Sequence, residues 1–399
     1  MTREEIYNAC LEQINKNPCL IIEAATGLGK TKIAIDLINH LVETRYKGEP
    51  TKMLLLVAKT VHKQTWKDEF EKWGGIKVDE VVIECYESLK KHVGETFTFV
   101  CLDECHHLGS ETRLELIQMV KAKYMLGLSA TIPKGVKMFF RWKYKAVVVS
   151  CDLTEAIEDE ILPEPTILLM PLSLETTRQS EEIIINPKVK SPVETGEYKD
   201  RWKYKKQKNI KAILKCTQQQ KLEYLNSQIT WMKDQYMRTR SKIREQSWLY
   251  LCGKRLEFLA DCKLNMVKAI LSKLKDYRTI TFCKTISQTE ELGANCIHSK
   301  NKKATEIYDA FNNKKIKHIT AVNILNENAN LVDCKYAIFA NLSSSAIITP
   351  QRLGRALRHK KPVIIIPYYK GTREQEIVDK LIAGFKPEFI KTIKSITEI

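Results

Sequence analysis

Two short stretches hold residues able to work on a phosphate ester. The first is Ala24-Ala25-Thr26-Gly27-Leu28-Gly29-Lys30-Thr31, set between the apolar run Leu20-Ile21-Ile22 and the helix-patterned segment Ile33–Ile38. Strand, glycine turn and helix make the context of a phosphate-binding loop, in which backbone N–H groups converge on an anion at a helix N-terminus. Gly27 and Gly29 permit that close approach, Thr26 lies within the loop, Lys30 can reach the β- and γ-phosphates, and the Thr31 hydroxyl can ligate Mg²⁺. Ala24 stands where the pattern G-x-x-x-x-G-K-[ST] has its first glycine. The second stretch is Asp103-Glu104-Cys105-His106, at the end of the apolar run Phe99–Leu102. A carboxylate pair at the carboxyl end of a parallel strand sits where open α/β sheets bind ligands. Asp103 can hold Mg²⁺, and Glu104 can orient or deprotonate an attacking water.

Elements that could position these groups follow from the hydrophobic pattern. Through about residue 150, short apolar runs alternate with helical spacing, which predicts a parallel sheet covered on both faces. Candidate strands are Leu20–Ile22, Met53–Val57, Val81–Glu84, Phe97–Leu102, Tyr124–Leu128 and Ala146–Val149. Pro163-Glu164-Pro165 reads as a linker, and from 175 to 265 the alternation gives way to a helical pattern. It resumes after Met266 with Arg278–Lys284, Ile297–Lys300, Ile319–Leu331, Tyr336–Ala340 and Val363–Pro367. Two further segments bear on the chemistry: Ser129-Ala130-Thr131 after an apolar strand, and Gln351-Arg352-Leu353-Gly354-Arg355-Ala356-Leu357-Arg358. Gln351, Arg355 and Arg358, at i, i+4 and i+7, share one helical face.

In this order the four elements resemble a superfamily 2 helicase or translocase. The resemblance implies an α/β fold of two RecA-like parallel-sheet domains with a basic, mainly helical insertion between them: residues 1–165, 175–265 and 266–399. It implies ATP and Mg²⁺ as the ligands, with Gln351, Arg355 and Arg358 facing the nucleotide across a cleft and joining Glu104 in catalysis. His106, Ser129, Thr131 and Glu327 would couple the nucleotide to the other domain, with Asn328 in place of the family's usual glycine beside Glu327. Lys59 and Thr60, Tyr86 and Ser88, Lys284 and Thr320 match segments that in the family touch nucleic acid. Arg3, Tyr7 and Gln13 are candidates for adenine or phosphate contact, although no clear Q-motif precedes the loop. Asp103-Glu104-Cys105-His106 departs from the Asp-Glu-Ala-Asp proteins and sits closer to the XPB-like, type I restriction-like or phage-type branches, which favours DNA over RNA.

Composition narrows the class. The chain has 399 residues, 44% of them hydrophobic, with apolar runs of only a few residues, so no membrane span is expected. The start lacks a secretory pattern, and a cytoplasmic (or host-cytoplasmic) protein is expected. Twelve scattered cysteines without C-x₂-C spacing read as reduced core thiols. The formal charge is +17, and residues 196–265 carry seventeen Lys/Arg against seven Asp/Glu. Such a patch attracts phosphate backbones, and the aromatics in it, among them Trp202, Tyr204, Trp231, Tyr236, Trp248 and Tyr250, can stack bases or form core. The expected activity is ATP-driven movement along, or unwinding of, a nucleic-acid strand. The alternative is an ATP-gated clamp, or a motor subunit serving replication, repair or nuclease proteins.

Overall fold

The computed structural model describes residues 2–185, 212–322, 331–342 and 359–399. The first unit is a six-stranded sheet whose strands run β1 (Cys19–Ala24), β2 (Lys52–Val57), β3 (Glu80–Cys85), β4 (Thr96–Asp103), β5 (Lys121–Ser129) and β6 (Val147–Cys151) in the chain, ordered β3-β2-β4-β5-β1-β6 in space. Every pairing is parallel. Parallel strands are covered on both faces, which is why β1, β2 and β4 are almost continuously apolar. On one face lie α1 (Arg3–Lys16), α2 (Lys30–Arg45) and α3 (Thr60–Lys72), which bury Ile6, Ile14, Leu37, Trp66 and Phe70. On the other lies α5 (Lys134–Tyr144), through Val136 and Phe140. Two short helices, α4 (Glu111–Ile117) and α6 (Leu153–Glu158), complete the unit.

The second unit is a seven-stranded parallel sheet ordered β11-β12-β10-β13-β14-β7-β15. Its strands are β7 (Thr166–Leu172), β10 (Thr279–Phe282), β11 (Cys296–Ile297), β12 (His318–Ala321), β13 (Tyr336–Phe339), β14 (Val363–Tyr369) and β15 (Ile390–Thr392). β7 pairs with β14 over seven residues, from Thr166 opposite Val363 to Leu172 opposite Tyr369. The second sheet therefore draws a strand from before residue 175, and the insertion interrupts this sheet rather than preceding it. Sequence pattern missed β7 because its partner β14 lies almost two hundred residues downstream, out of reach of any local signal.

The insertion contains an antiparallel pair, β8 (Glu181–Ile185) and β9 (Ala212–Cys216), and two long helices, α7 (Gln218–Thr239) and α8 (Lys242–Cys262). Arg240 makes the reversal between the helices in left-handed backbone geometry, φ 52°. At 22 residues α7 is roughly 33 Å long. The base of the helical pair packs on Tyr369 of β14 through Leu222 of α7 and Phe258 and Leu259 of α8. Toward the reversal the surface is exposed, and Tyr236 stacks on Trp248 with Lys233 and Arg240 over the two rings. Trp231 and Tyr250 are exposed, so neither is core.

Where α8 meets α9 (Leu264–Lys273), Lys263 is fully buried and its ammonium donates to Glu374 Oε1 at 2.5 Å and to the carbonyl of Pro367 at 3.2 Å. Glu374 Oε2 accepts the backbone N–H of Tyr369 at 3.1 Å. The pair clips the insertion to β14 and the helix Arg373–Ile382. All twelve cysteines are free thiols. Burial pushes the Cys10 and Cys19 thiols up to about 12 and those of Cys101 and Cys105 well above the usual range.

Two outcomes follow. Glu374→Gln, which leaves the Lys263 ammonium buried without its counter-charge, is expected to cost about 3–5 kcal/mol in urea unfolding, and joint replacement of both residues by Met and Leu to cost much less. Iodoacetamide at mildly alkaline pH should label half-buried Cys85 and Cys252 in the folded protein well before Cys10, Cys19, Cys101 or Cys105. A raised pKa withholds the thiolate that reacts, and peptide mass mapping reads the order.

Candidate phosphate-binding and hydrolysis site

The site is built at the carboxyl edge of the first sheet. β1 ends at Ala24, and the loop turns through Gly27 at φ 105° and Gly29 at φ 85° before α2 begins at Lys30. Both dihedrals lie in the region that glycine alone adopts without strain. No heavy atom stands within 4 Å of where a Cβ on Gly29 would be, so the N-terminus of α2 faces open space. The Lys30 ammonium donates to the carbonyls of Ala24 at 2.8 Å and Ala25 at 3.4 Å, which holds it over the loop. The Thr26 hydroxyl is buried and has no hydrogen-bond partner, an unusual state for a polar atom and one that an anion's oxygen would relieve. The loop borders a cleft of about 730 Å³, walled by Arg3 and Tyr7 of α1, by Thr31, by Trp66 and Trp73 around α3, and by Asp103 and Glu104. Loop, orphan hydroxyl and carboxylates have the chemistry to receive a phosphate ester with a divalent cation, to which Thr31 and Asp103 would offer oxygen ligands.

The carboxylates are held from several directions. Asp103 is 6% exposed; its Oδ2 accepts the Trp66 indole N–H at 2.8 Å, and its carbonyl accepts the Tyr86 hydroxyl at 2.8 Å. Glu104 adopts left-handed geometry, φ 50° and ψ 55°, at a cost of about 1–3 kcal/mol that the surrounding bonds offset. That turn swings its side chain toward β5, where Oε2 accepts the Ser129 hydroxyl at 3.2 Å. His106 Nδ1 lies 2.9 Å from Ser129 Oγ and 3.2 Å from Glu104 Oε2. Ser129 Oγ is also 3.0 Å from the Thr131 carbonyl. Glu104, His106, Ser129 and Thr131 therefore form one contiguous network beside the phosphate loop, and the sequence had grouped them only by resemblance.

Other expectations fare differently. Gln351, Arg355, Arg358 and Glu327 lie outside the described residues, as do Trp202 and Tyr204. Tyr86, expected to touch nucleic acid, is 2% exposed, with its hydroxyl committed to Asp103 and its ring stacked on His107. It is a support for the carboxylate strand. Thr320 is likewise buried, inside β12, its hydroxyl 3.4 Å from the Thr289 carbonyl, so it presents no surface to a strand. Lys59 and Thr60 are exposed at the start of α3, and Ser88 and Lys284 are half-buried. Arg3 and Tyr7 line the cleft, and Arg3 Nη2 reaches the Gly27 carbonyl at 3.5 Å; Gln13 is not among the lining residues. The part played by Trp66 toward Asp103 carried no sequence signal, since an indole on the apolar stripe of a helix reads as core. Glu23 was also missed; its Oε1 accepts the Ile132 N–H at 2.9 Å and its Oε2 pairs with Lys137 at 2.5 Å, anchoring the loop after Ser129 to β1.

Two RecA-like parallel sheets, with a phosphate loop and a carboxylate pair on the first, make the architecture of a two-domain helicase-type motor. Residues 2–134 match the family described as type III restriction enzyme, res subunit, and residues 262–360 match the helicase conserved C-terminal domain, which places this chain in the superfamily 2 helicases. It is 28% identical over 152 residues to the probable helicase D10 of Escherichia phage T5, a match covering 34% of this chain and 31% of that relative's length. Among solved structures it resembles S. cerevisiae Dbp5 bound to RNA and ADP BeF3, with TM-score 0.60 at 11% identity, covering 98% of this chain and 89% of that one. It also resembles the ATP-dependent type ISP restriction-modification enzyme LlaBIII bound to DNA, with TM-score 0.59 at 13% identity, covering 99% of this chain and 31% of that one. At these identities the structural likeness bears on the fold.

The indole bond to Asp103 yields a direct test. Trp66→Phe keeps the apolar ring but removes the donor, and is expected to raise the Mg²⁺ concentration needed for binding of a fluorescent ATP analogue, with about 1.5–3 kcal/mol as the ceiling. An unchanged Mg²⁺ requirement would reduce Trp66 to a space-filling role.

Proposed function

We propose that the chain is a nucleic-acid-stimulated ATPase that moves along, or unwinds, a strand, and that its track is DNA. The observation that carries this is the meeting of Lys30, Asp103 and Glu104 at one cleft, with Glu104 held from behind by Ser129 and His106. Lys30 and the loop N–H groups bind the phosphates, and Glu104, fixed by Ser129, is placed to orient a water and accept its proton. Bound Mg²⁺ would neutralise phosphate charge. His106 and Ser129 tie the Glu104 carboxylate to the loop ending in Thr131, so any shift at the phosphate end is felt there; this is the coupling role we assign to them. Gln351, Arg355 and Arg358 are proposed to complete the site from the second unit, by motif resemblance. Lys59, Thr60, Ser88 and Lys284 are proposed as backbone contacts.

The preference for DNA rests on the Asp-Glu-Cys-His resemblance to DNA-translocating branches, because one structural neighbour is held on DNA and another on RNA. The basic insertion, with its exposed Trp231 and Tyr250, suits a polyanionic partner. Among the described residues no helix is long and apolar enough to cross a membrane, and we propose that the protein works in the cytoplasm.

Steady-state ATP hydrolysis, alone and with single-stranded DNA, duplex DNA or RNA, tests the reading. DNA is expected to stimulate turnover, Lys30→Ala to abolish it, and Glu104→Gln to keep nucleotide binding while slowing turnover by about 10²–10⁴-fold. Robust hydrolysis by Glu104→Gln would remove Glu104 from its role. Tight polymer binding without stimulation would favour an ATP-gated clamp.

A further inference from the structure

Helix α5 carries a feature that the nucleotide site does not use. From Lys134 to Lys145 the chain holds five cations, Lys134, Lys137, Arg141, Lys143 and Lys145, and no carboxylate. Lys137 pairs with Glu23, whereas Lys134, Arg141, Lys143 and Lys145 are exposed and form no ion pair among the described residues. Val136 and Phe140 bury the inner face. Lys134, Met138, Arg141 and Trp142 share the outer face by helical spacing. Trp142 is 85% exposed and Met138 59%. An indole left this bare has surrendered the burial that ordinarily keeps tryptophan in a core.

The place of this face matters as much as its composition. In a parallel sheet α5 must descend from the carboxyl edge, where β5 ends at Ser129, to the opposite edge, where β6 begins at Val147. Trp142 lies eight residues below Lys134, roughly 12 Å along the axis. The carbonyl of Lys145 accepts Asn17 Nδ2 at 2.7 Å, beside the start of β1, which fixes that end of α5 at the amino edge. The patch therefore lies away from the phosphate loop and the carboxylates.

We infer that the outer face of α5, together with its exposed C-terminal end, is a second nucleic-acid contact, which holds a single-stranded segment by stacking a base on Trp142 and placing its phosphates against Arg141 on that face and Lys143 and Lys145 at the end of the helix. Cations without carboxylates select a polyanion, and a bare indole among them is the combination that grips single strands irrespective of sequence. Four exposed cations beside Trp142 and Met138, with no carboxylate among them, favour a polyanion over a protein face of mixed charge. On a motor such a contact would retain strand that has left the main track. The inference rests on the nucleic-acid motor reading, and its test separates the two.

The full chain is titrated with oligothymidylate, following tryptophan emission, and compared with Trp142→Ala and with the triple variant Arg141→Gln, Lys143→Gln, Lys145→Gln. These surface positions lie outside the nucleotide site, so basal ATP hydrolysis serves as the folding control. The expected result is quenching that is smaller in Trp142→Ala than in the parent by the Trp142 share, with binding weakened roughly five- to hundredfold. The triple variant should lower the dependence of log K on log salt by about 2, near 0.7 per lost cation. Equal affinity and equal salt slope, with DNA-stimulated turnover intact, would overturn the α5 contact and leave the motor reading standing. Absence of any polymer binding would overturn both. Quenching of Trp142 by poly-glutamate but not by oligothymidylate would assign the face to an acidic protein partner instead.

Discussion

Parallel pairing of β5 between β1 and β4 is the constraint on which the site depends. Glu23 of β1 is in register with Ser129, and Asp103 of β4 with Leu128, so the ends of three strands meet at one edge. Neighbouring strands lie about 4.8 Å apart, which sets the phosphate loop and the carboxylate pair roughly 10 Å from each other with Ser129 between them. A slip of one residue in β5 would turn Ser129 to the opposite face and take the hydroxyl away from Glu104. Gly127 opposes that slip: a Cβ there would already meet Cys105 Sγ at 3.4 Å and Ile21 at 3.5 Å, leaving no room for a leucine side chain.

Around that edge, residues from separate parts of the chain hold the carboxylates still. Trp66 comes from α3, Tyr86 from the turn after β3, and Ser129 and His106 from either side. Each bond is modest alone, but a buried carboxylate left without donors would lose its charge rather than keep it. The left-handed turn at Glu104 is stable because these contacts over-determine it. The insertion is governed by the same economy at larger scale: Lys263 and Glu374 tolerate full burial because each satisfies the other, and the helical arm is thereby fixed to the sheet it interrupts.

Much of this was legible from residue types and spacing. The strands of the first sheet were readable because parallel strands buried on both faces are uniformly apolar, and the phosphate loop because its glycines and lysine have few other uses in that context. Nine of the twelve cysteines expected in the core are buried, and Cys85, Cys252 and Cys262 are only half-buried. Less legible was Tyr86, where a turn after a strand looks alike whether its aromatic faces solvent or supports a neighbour. β7 was invisible for a different reason: its sheet is completed by a strand far downstream.

What the sequence determined by itself is the chemistry available and the order of the elements, since backbone geometry at glycines, apolar periodicity and the identity of a lysine or carboxylate are local properties. What only the tertiary structure decided is which groups meet. The indole donor on Asp103, the hydroxyl bridge from Ser129 to Glu104, the clip between Lys263 and Glu374, and the exposure of Trp142 where Trp66 is buried all depend on packing between segments distant in the chain. Hydrogen bonds and burial act through space over a few ångströms, and a sequence records neighbours only along the chain.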